Sequence, residues 1–177
     1  MTKHLPAALI ATALFLGLSG GAVHAAESTN NAFDRADASF SRFPLNMPGT
    51  PQAVGRLVNG DACDDDGISC EWEDEVGVRH IFAGDTLAIK LVDVAALGNR
   101  DIAALNIGAA RSRADVLAKV RAFLPEIAVD CLEPGKAGEG AGIASCSGAF
   151  PNDAWFKLLF GPDGRLISAR IDAFQID

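Results

Sequence analysis

Apolar residues recur at helical spacing near the start of the chain, in residues 31–43. Side chains three or four positions apart share one side of a helix, so this spacing predicts a short amphipathic helix laid over a core. Pro44 ends it, because the residue before a proline is pushed out of helical geometry. The predicted buried side comprises Phe33, Ala36, Phe40 and Phe43, and Asp34, Arg35 and Asp37 are predicted to turn away.

A second helix is predicted from Ser112 to Leu124, with Pro125 closing it. Ser112 and Asp115 have the spacing of a capping box, with Asp in place of the usual Glu. Thr50 followed by Pro51 is also a favourable helix start, since proline fits the first helical position. The expected buried side chains are Val116, Leu117, Val120 and Phe123 in one helix and Val54, Leu57 and Val58 in the other.

Between and after these helices the pattern changes to alternation with period two, which is typical of strands. Glycine, proline and aspartate punctuate the strands and indicate hairpin turns, Gly161-Pro162-Asp163-Gly164 most strongly. Another short helix is expected near Asn99 or Asp101. The predicted strands cover residues 68–72, 76–82 and 86–94, and then 127–132, 143–148, 154–160 and 165–176.

The two halves of this pattern resemble each other. Leu45-Asn46-Met47 matches Leu105-Asn106-Ile107, and each half then has an apolar helix-like run, two cysteines and an aromatic-rich strand. The sequence therefore predicts an α+β fold made of two tandem helix-helix-four-strand antiparallel repeats, over residues 26–94 and 95–177.

Residues 1–25 have the three parts of a secretory signal: a basic start at Lys3, an apolar run, and the small-residue site Val23-His24-Ala25. A membrane anchor is the alternative, but the run is shorter than the ~20 residues that a span needs. We expect cleavage before Ala26, a periplasmic or secreted location, and no transmembrane segment after cleavage. Loss of Lys3 would change the formal charge from −8 to −9.

Four cysteines remain in this oxidising setting, and the repeat favours one bridge in each half, Cys63 with Cys70 and Cys131 with Cys146. The rival interpretation is a metal site, but the spacings lack the CxxC pairs of structural zinc sites. The acidic residues from Asp61 to Glu73 fit a calcium loop poorly, because Ala62 falls on its first position. No cofactor and no metal is therefore expected.

The candidates for catalysis are few. His80 is the only histidine beyond the predicted signal, and its match to Leu158 in the second half favours a structural histidine over a catalytic one. Paired carboxylates remain possible in principle, but nothing fixes two of them across a cleft. We expect no catalytic residue, and an enzyme ranks third among the possible functions.

The strand alternation predicts an outer sheet face that combines aromatic, aliphatic and basic side chains. Tryptophan and arginine dominate binding hot spots, so this face is a candidate for a protein partner. Nucleic acid is disfavoured by the acidic net charge. The alternatives are that the two halves cover each other's sheets or that the register is shifted by one residue. The candidate partner-binding residues are Arg79, Ile81, Trp155, Lys157, Leu159 and Arg170.

The order of elements, carried by Thr50 to Val58, Ser112 to Val120 and the two cysteine pairs, resembles the β-lactamase-inhibitor-protein family. That resemblance implies a two-sheet surface that clamps an enzyme and blocks its active site. Together with the outer sheet face, this resemblance implies a non-catalytic protein that inhibits or neutralises a protein partner, with a secreted or envelope-directed enzyme as the candidate partner. The alternative is an envelope assembly or stress component that binds outer-membrane proteins or peptidoglycan.

Overall fold

A computed structural model describes residues 32–48, 51–58, 70–136 and 140–173. The predicted signal, Cys63 and the acidic residues from 61 to 66 lie outside these ranges. None of the described helices is long and apolar enough to cross a membrane. The helices are α1 over residues 32–40, α2 over Val94–Leu97 and α3 over Arg113–Phe123, with 3-10 turns at Pro51–Ala53 and Ala104–Asn106.

Eight strands form one antiparallel sheet, which confirms the α+β class and the antiparallel arrangement. Each strand pairs with the next along the chain within β1–β4 and within β5–β8, and β4 pairs with β8. The last strands of the two halves therefore lie side by side at the centre. The strands are β1 Arg56–Leu57, β2 Cys70–Glu73, β3 Val78–Ala83, β4 Thr86–Asp93, β5 Asp130–Leu132, β6 Ala144–Ala149, β7 Trp155–Phe160 and β8 Leu166–Asp172.

One face of this sheet packs against the helices and forms the core. Alternate residues of each strand point to this inner face, so their apolar side chains meet those of α1 and α3. Gly148 on β6 leaves room for Phe156, because a Cβ at that glycine would lie 2.6 Å from the phenylalanine ring. The inner core includes Ala36, Phe40, Val78, Phe82, Val116, Val120, Phe156, Leu158 and Ile171.

Helix α3 is confirmed in its start, its end and three residues of its predicted buried side, whereas Phe123 is half-buried. The Ser112 hydroxyl accepts a hydrogen bond from the Asp115 amide at 3.3 Å, which satisfies one of the free donors of the first turn. Val116, Leu117 and Val120 are buried. The helix ends at Phe123, immediately before a buried Leu124 and then Pro125.

The predicted helix from Thr50 to Val58 is wrong. Its apolar run gives a single 3-10 turn, and Arg56 and Leu57 then pair with Glu73 and Trp72 as strand β1. Gly55 allows this change, because a Cβ there would lie 2.1 Å from the Glu73 carbonyl oxygen. Edge pairing with β2 therefore replaces the helix that spacing alone favoured.

The connection between the halves also differs from expectation. A short helix occurs there, but it is α2 at Val94–Leu97, and it ends before Asn99. Its start is set by Asp93, whose carboxylate accepts the Ala95 amide at 2.9 Å. Gly98 ends it at φ +60° and ψ −124°, a positive-φ conformation that glycine adopts without strain, and its amide donates to the Ala95 carbonyl at 3.4 Å.

The disulfide expected in the second half is present, joining Cys131 on β5 to Cys146 on β6. The two cysteines lie directly opposite each other in the strand register. The bridge thus ties the outermost strand of this half to its neighbour. The predicted partner bridge involves Cys63, which lies outside the described residues.

Candidate binding face and a buried polar cluster

The strand register assembles the candidate partner-binding residues on the face opposite the helices, here called the outer face. Leu91 on β4 lies opposite Arg79 on one side and Arg170 on the other, and Arg170 lies opposite Lys157. The neighbouring row runs Ile81, Ile89, Asp172, Trp155, and a third row holds Asp93, Ser168 and Leu159.

All six residues predicted for this face share it, and all six are half-buried. Period-two alternation with Ala169 and Ile171 also predicts an inward Ile167, and this prediction is wrong, since Ile167 is 38% exposed. The register shifts between Leu159 and Phe160, so Phe160 pairs with Leu166, and Leu166 is the buried residue. Ile167 is the extra residue of this irregularity and has no partner in the register, so it is not held in the alternation of β8.

Trp155 lies between two cations on the outer face. The Arg170 guanidinium carbon is 5.3 Å from the centre of the indole ring, and the Lys157 ammonium nitrogen is 5.8 Å from it. Both distances are within the range of a cation–π interaction. The indole Nε1 is buried and lacks a hydrogen-bond partner among the described residues. An aromatic ring is therefore held in a fixed, partly open position.

Arg170 also binds Asp172, two residues along the same strand. Its Nε donates to the two carboxylate oxygens at 2.9 and 2.7 Å, and its Nη2 donates to the same group. Asp172 is 1% exposed, and this burial raises the pKa of its carboxyl against the opposing influence of Arg170. Partial burial and the charge of Arg170 lower the pKa of Lys157. Charges at this end of the face are thus crowded and partly dehydrated.

The other end of the outer face holds weaker, more solvated ion pairs. Arg79 donates to Glu71 at 3.1 Å and lies 3.9 Å from the Asp93 carboxylate. Arg56 pairs with Glu73 across β1 and β2. Exposed pairs of this kind contribute about 0–1 kcal/mol each, so they position side chains more than they stabilise the fold.

A second polar group lies under α1, on the inner face, and comprises Asp37, Ser41, Asp74, His80 and Lys90. His80 and Lys90 are fully buried and lie opposite each other on β3 and β4. The Lys90 ammonium is 2.5 Å from the Asp37 carboxylate and donates to the carbonyls of Asp37 and Ser41. We call this set the buried polar cluster.

The sequence prediction turned Asp37 toward solvent, and this is wrong, since it is 7% exposed. One of its carboxylate oxygens also accepts the Leu45 amide at 3.0 Å. Helical spacing placed Asp37 one position from the buried Ala36, and the boundary between the two sides was therefore ambiguous. Lys90, in an otherwise apolar strand, was the available signal, because a buried lysine requires a partner.

His80 holds one defined orientation. Its Nδ1 is 3.0 Å from the Val78 carbonyl, which only accepts, so Nδ1 carries the proton. Nε2 then accepts the Ser41 hydroxyl at 2.8 Å and lies 3.8 Å from the Asp74 carboxylate. Burial lowers the pKa of His80, aided by the Lys90 charge and opposed by Asp74. Burial therefore favours the neutral imidazole in the folded chain.

Two open cavities border Ser41 and Arg42, of about 380 Å³ and 240 Å³. A serine bonded to a neutral imidazole is the arrangement of an activated nucleophile, but here a backbone carbonyl occupies the position of the orienting carboxylate. The Phe43 amide points at Ser41 Oγ itself, at 3.4 Å. Among the described residues, no three His, Cys, Asp or Glu side chains are placed so that they could hold one metal ion together.

Comparison with known proteins gives no further guide, because no family model, curated protein or solved structure matches the chain.

Proposed function

We propose that this chain is a non-catalytic binding protein that inhibits or neutralises a protein partner through its outer face. The observation that carries the proposal is the cross-strand register around Trp155. It places the indole beside the Arg170 guanidinium on the face opposite the described helices. Lys157 and Leu159 lie on the same face. Buried aromatic and arginine anchors contribute most of the binding energy in protein interfaces.

The chemistry of the face suits a folded protein better than a nucleic acid. Arg56, Arg79 and Arg170 each have a carboxylate partner, and the chain has a net charge of −8. A nucleic-acid surface needs clustered cations that are free to neutralise phosphates. A protein partner instead gains from an aromatic centre with a charged rim.

Two further features support the inhibitor interpretation. The strand order, in which two four-strand meanders meet at β4 and β8, is the one expected if a doubled unit joined its copies through their last strands. The proposal also includes that the two halves are tandem repeats, that Cys63 is bridged to Cys70 in the first half, and that the chain resembles the β-lactamase-inhibitor-protein family. The signal-like start and the Cys131–Cys146 bridge support an extracytoplasmic location.

The test places a photo-crosslinking amino acid at Leu159 and, as the matched control, at the exposed helix position Arg121. A partner trapped from envelope extract only through residue 159 is then purified and titrated by calorimetry. Trp155→Ala and Arg170→Ala should each weaken its binding by about 2 kcal/mol or more, roughly thirtyfold in Kd. Arg121→Ala should leave Kd unchanged. Equal crosslinking at both positions, or a Kd insensitive to Trp155, would reject the outer face as the site.

Stability measurements separate binding from folding. Phe156 is fully buried against Phe150, so Phe156→Ala should lower the free energy of unfolding by about 3–5 kcal/mol. Trp155→Ala should cost clearly less, because its ring is half-buried. Urea unfolding of both variants checks this difference. Equal losses would mean that the outer face is packed like the core.

A further inference from the structure

The loops at the start of β8 and α3 and at the end of α2 line an open cavity of about 320 Å³, separate from the outer face and the buried polar cluster. Its lining includes Arg111, Arg165 and Asn99, and it includes no aspartate or glutamate. The backbone holds the two arginines together, since Leu166 N donates to Arg111 O at 2.8 Å and Arg113 N donates to Gly164 O at 3.0 Å.

Arg111 is fixed without being neutralised. Its Nη1 donates to the carbonyls of Gly108 and Ala110 at 2.9 and 2.8 Å, and its Nη2 donates to the Arg100 carbonyl at 2.6 Å. These acceptors carry no formal charge. They use three of the five guanidinium N–H groups, so two, one of them on Nε, remain for a ligand.

Neither Arg111 nor Arg165 has a carboxylate within ion-pair distance among the described residues. The nearest candidate by sequence, Asp163, points its Oδ1 at the Arg165 amide instead, at 3.0 Å. This contrasts with the outer face, where Arg79 and Arg170 are paired with acids. In an acidic protein, two arginines lining one cavity without a counter-charge are unusual.

We propose that this cavity binds the oxyanion group, phosphate or carboxylate, of a small molecule. Arg111 supplies a preorganised guanidinium, and the planar fork of arginine matches the paired oxygens of such groups. Arg165, exposed at the rim, adds a second positive charge, and the Asn99 amide adds a neutral donor. The cavity, of about 320 Å³, has room for more than a bare ion, so a larger molecule fits with its oxyanion group at the arginines.

The test titrates the full chain with inorganic phosphate and with glycerol phosphate at neutral pH, following backbone amide signals by NMR. Shifts should concentrate at Gly98, Asn99 and Ala109. Arg165→Gln should raise the Kd about tenfold, as expected for loss of one charge-assisted contact. Ala109→Asp, which places a carboxylate at an exposed position of the lining, should abolish the shifts.

Arg121→Gln on α3 is the matched control, because it removes one exposed arginine away from the cavity and should leave the titration unchanged. Arg111→Lys keeps the charge but loses the planar fork of the guanidinium, and a weaker Kd in a folded variant supports a bidentate contact.

A second experiment measures binding of the protein to vesicles of phosphatidylglycerol. Binding of the wild-type chain that is lost in Ala109→Asp would assign the oxyanion to a lipid headgroup. Identical shifts with sodium chloride at matched ionic strength, or shifts unaffected by Arg165→Gln and Ala109→Asp, would overturn the proposal.

Discussion

At the scale of single residues, the fold depends on polar side chains placed where apolar ones are usual. Lys90 occupies a core position of the central strand β4, and His80 lies beside it on β3. Burial lowers the pKa of both side chains, since desolvation disfavours their charged forms. Lys90 donates to the carbonyls of Asp37 and Ser41, and His80 accepts a hydrogen bond from the Ser41 hydroxyl.

The neutral state of His80 predicts a pH dependence of stability. In the unfolded chain its pKa is about 6.5, and in the fold burial lowers it. Between these two values the unfolded state binds more protons, so stability rises with pH there. The contribution of neutral His80 to the free energy of unfolding is fully present above about pH 6.5. It is lost as the pH falls through the lower pKa that His80 has in the fold.

Urea unfolding at several pH values between about 7.5 and 5.5 measures this effect, in the window where an unperturbed histidine titrates and unperturbed carboxylates do not. His80→Gln, which keeps polar contacts but does not titrate, is the control and should flatten the profile. A wild-type slope that persists in His80→Gln would assign the dependence to another group.

At the scale of elements, α1 is attached to the sheet by the Asp37–Lys90 ion pair as well as by Ala36 and Phe40. A buried pair of this kind adds little net stability over an apolar replacement, but losing one partner leaves an uncompensated charge. The pair thus determines where α1 lies on β4 more than how strongly it binds. Because Lys90 lies in the core, its ion pair with Asp37 also explains why Asp37 is on the buried side of α1.

A double-mutant cycle tests this arrangement. Asp37→Asn leaves Lys90 without its counter-charge and should lower the free energy of unfolding by about 3–5 kcal/mol. The double variant Asp37→Asn with Lys90→Met should recover part of that loss, because the buried charge is gone. Chemical denaturation of the four proteins gives the coupling energy. Strictly additive losses would show that the two side chains do not interact.

At the scale of the whole molecule, a single sheet with β4 and β8 at its centre joins the two halves. The central strands β4 and β8 pair with a strand on each side, whereas β1 and β5 lie at the edges and pair on one side only. The Cys131–Cys146 bridge reinforces the β5 edge by linking it to β6. Stability at this edge therefore depends on a covalent link as well as on hydrogen bonds.

Replacing both cysteines of this bridge by alanine should lower the free energy of unfolding by about 3 kcal/mol, the value expected for closing a loop of this length. Denaturation under non-reducing conditions measures the loss. Peptide mapping of the unreduced wild-type chain provides the complementary check, and it should recover a peptide pair joining Cys63 to Cys70. A Cys63 thiol that alkylates freely would contradict the predicted first-half bridge.

The sequence by itself determined the features that depend on local patterns. Alternation placed β3, β7 and most of β8, the Ser112 cap placed α3, and the six outer-face residues share one side because period two assigns them there. The second bridge also followed from local matching of the two halves. The signals for the strands and for α3 lie within a few residues of each other, and the bridge needed only a comparison of the two halves, so no knowledge of tertiary contacts was needed.

Only the tertiary structure decided the rest. The contact of Gly55 with the Glu73 backbone turned a helix-like run into an edge strand, and the shifted register at Phe160 left Ile167 exposed. The cavity around Arg111 and Arg165 brings together residues 54 positions apart. In each case the outcome depends on which backbone lies alongside, and side-chain pattern within one segment carries no information about that neighbour.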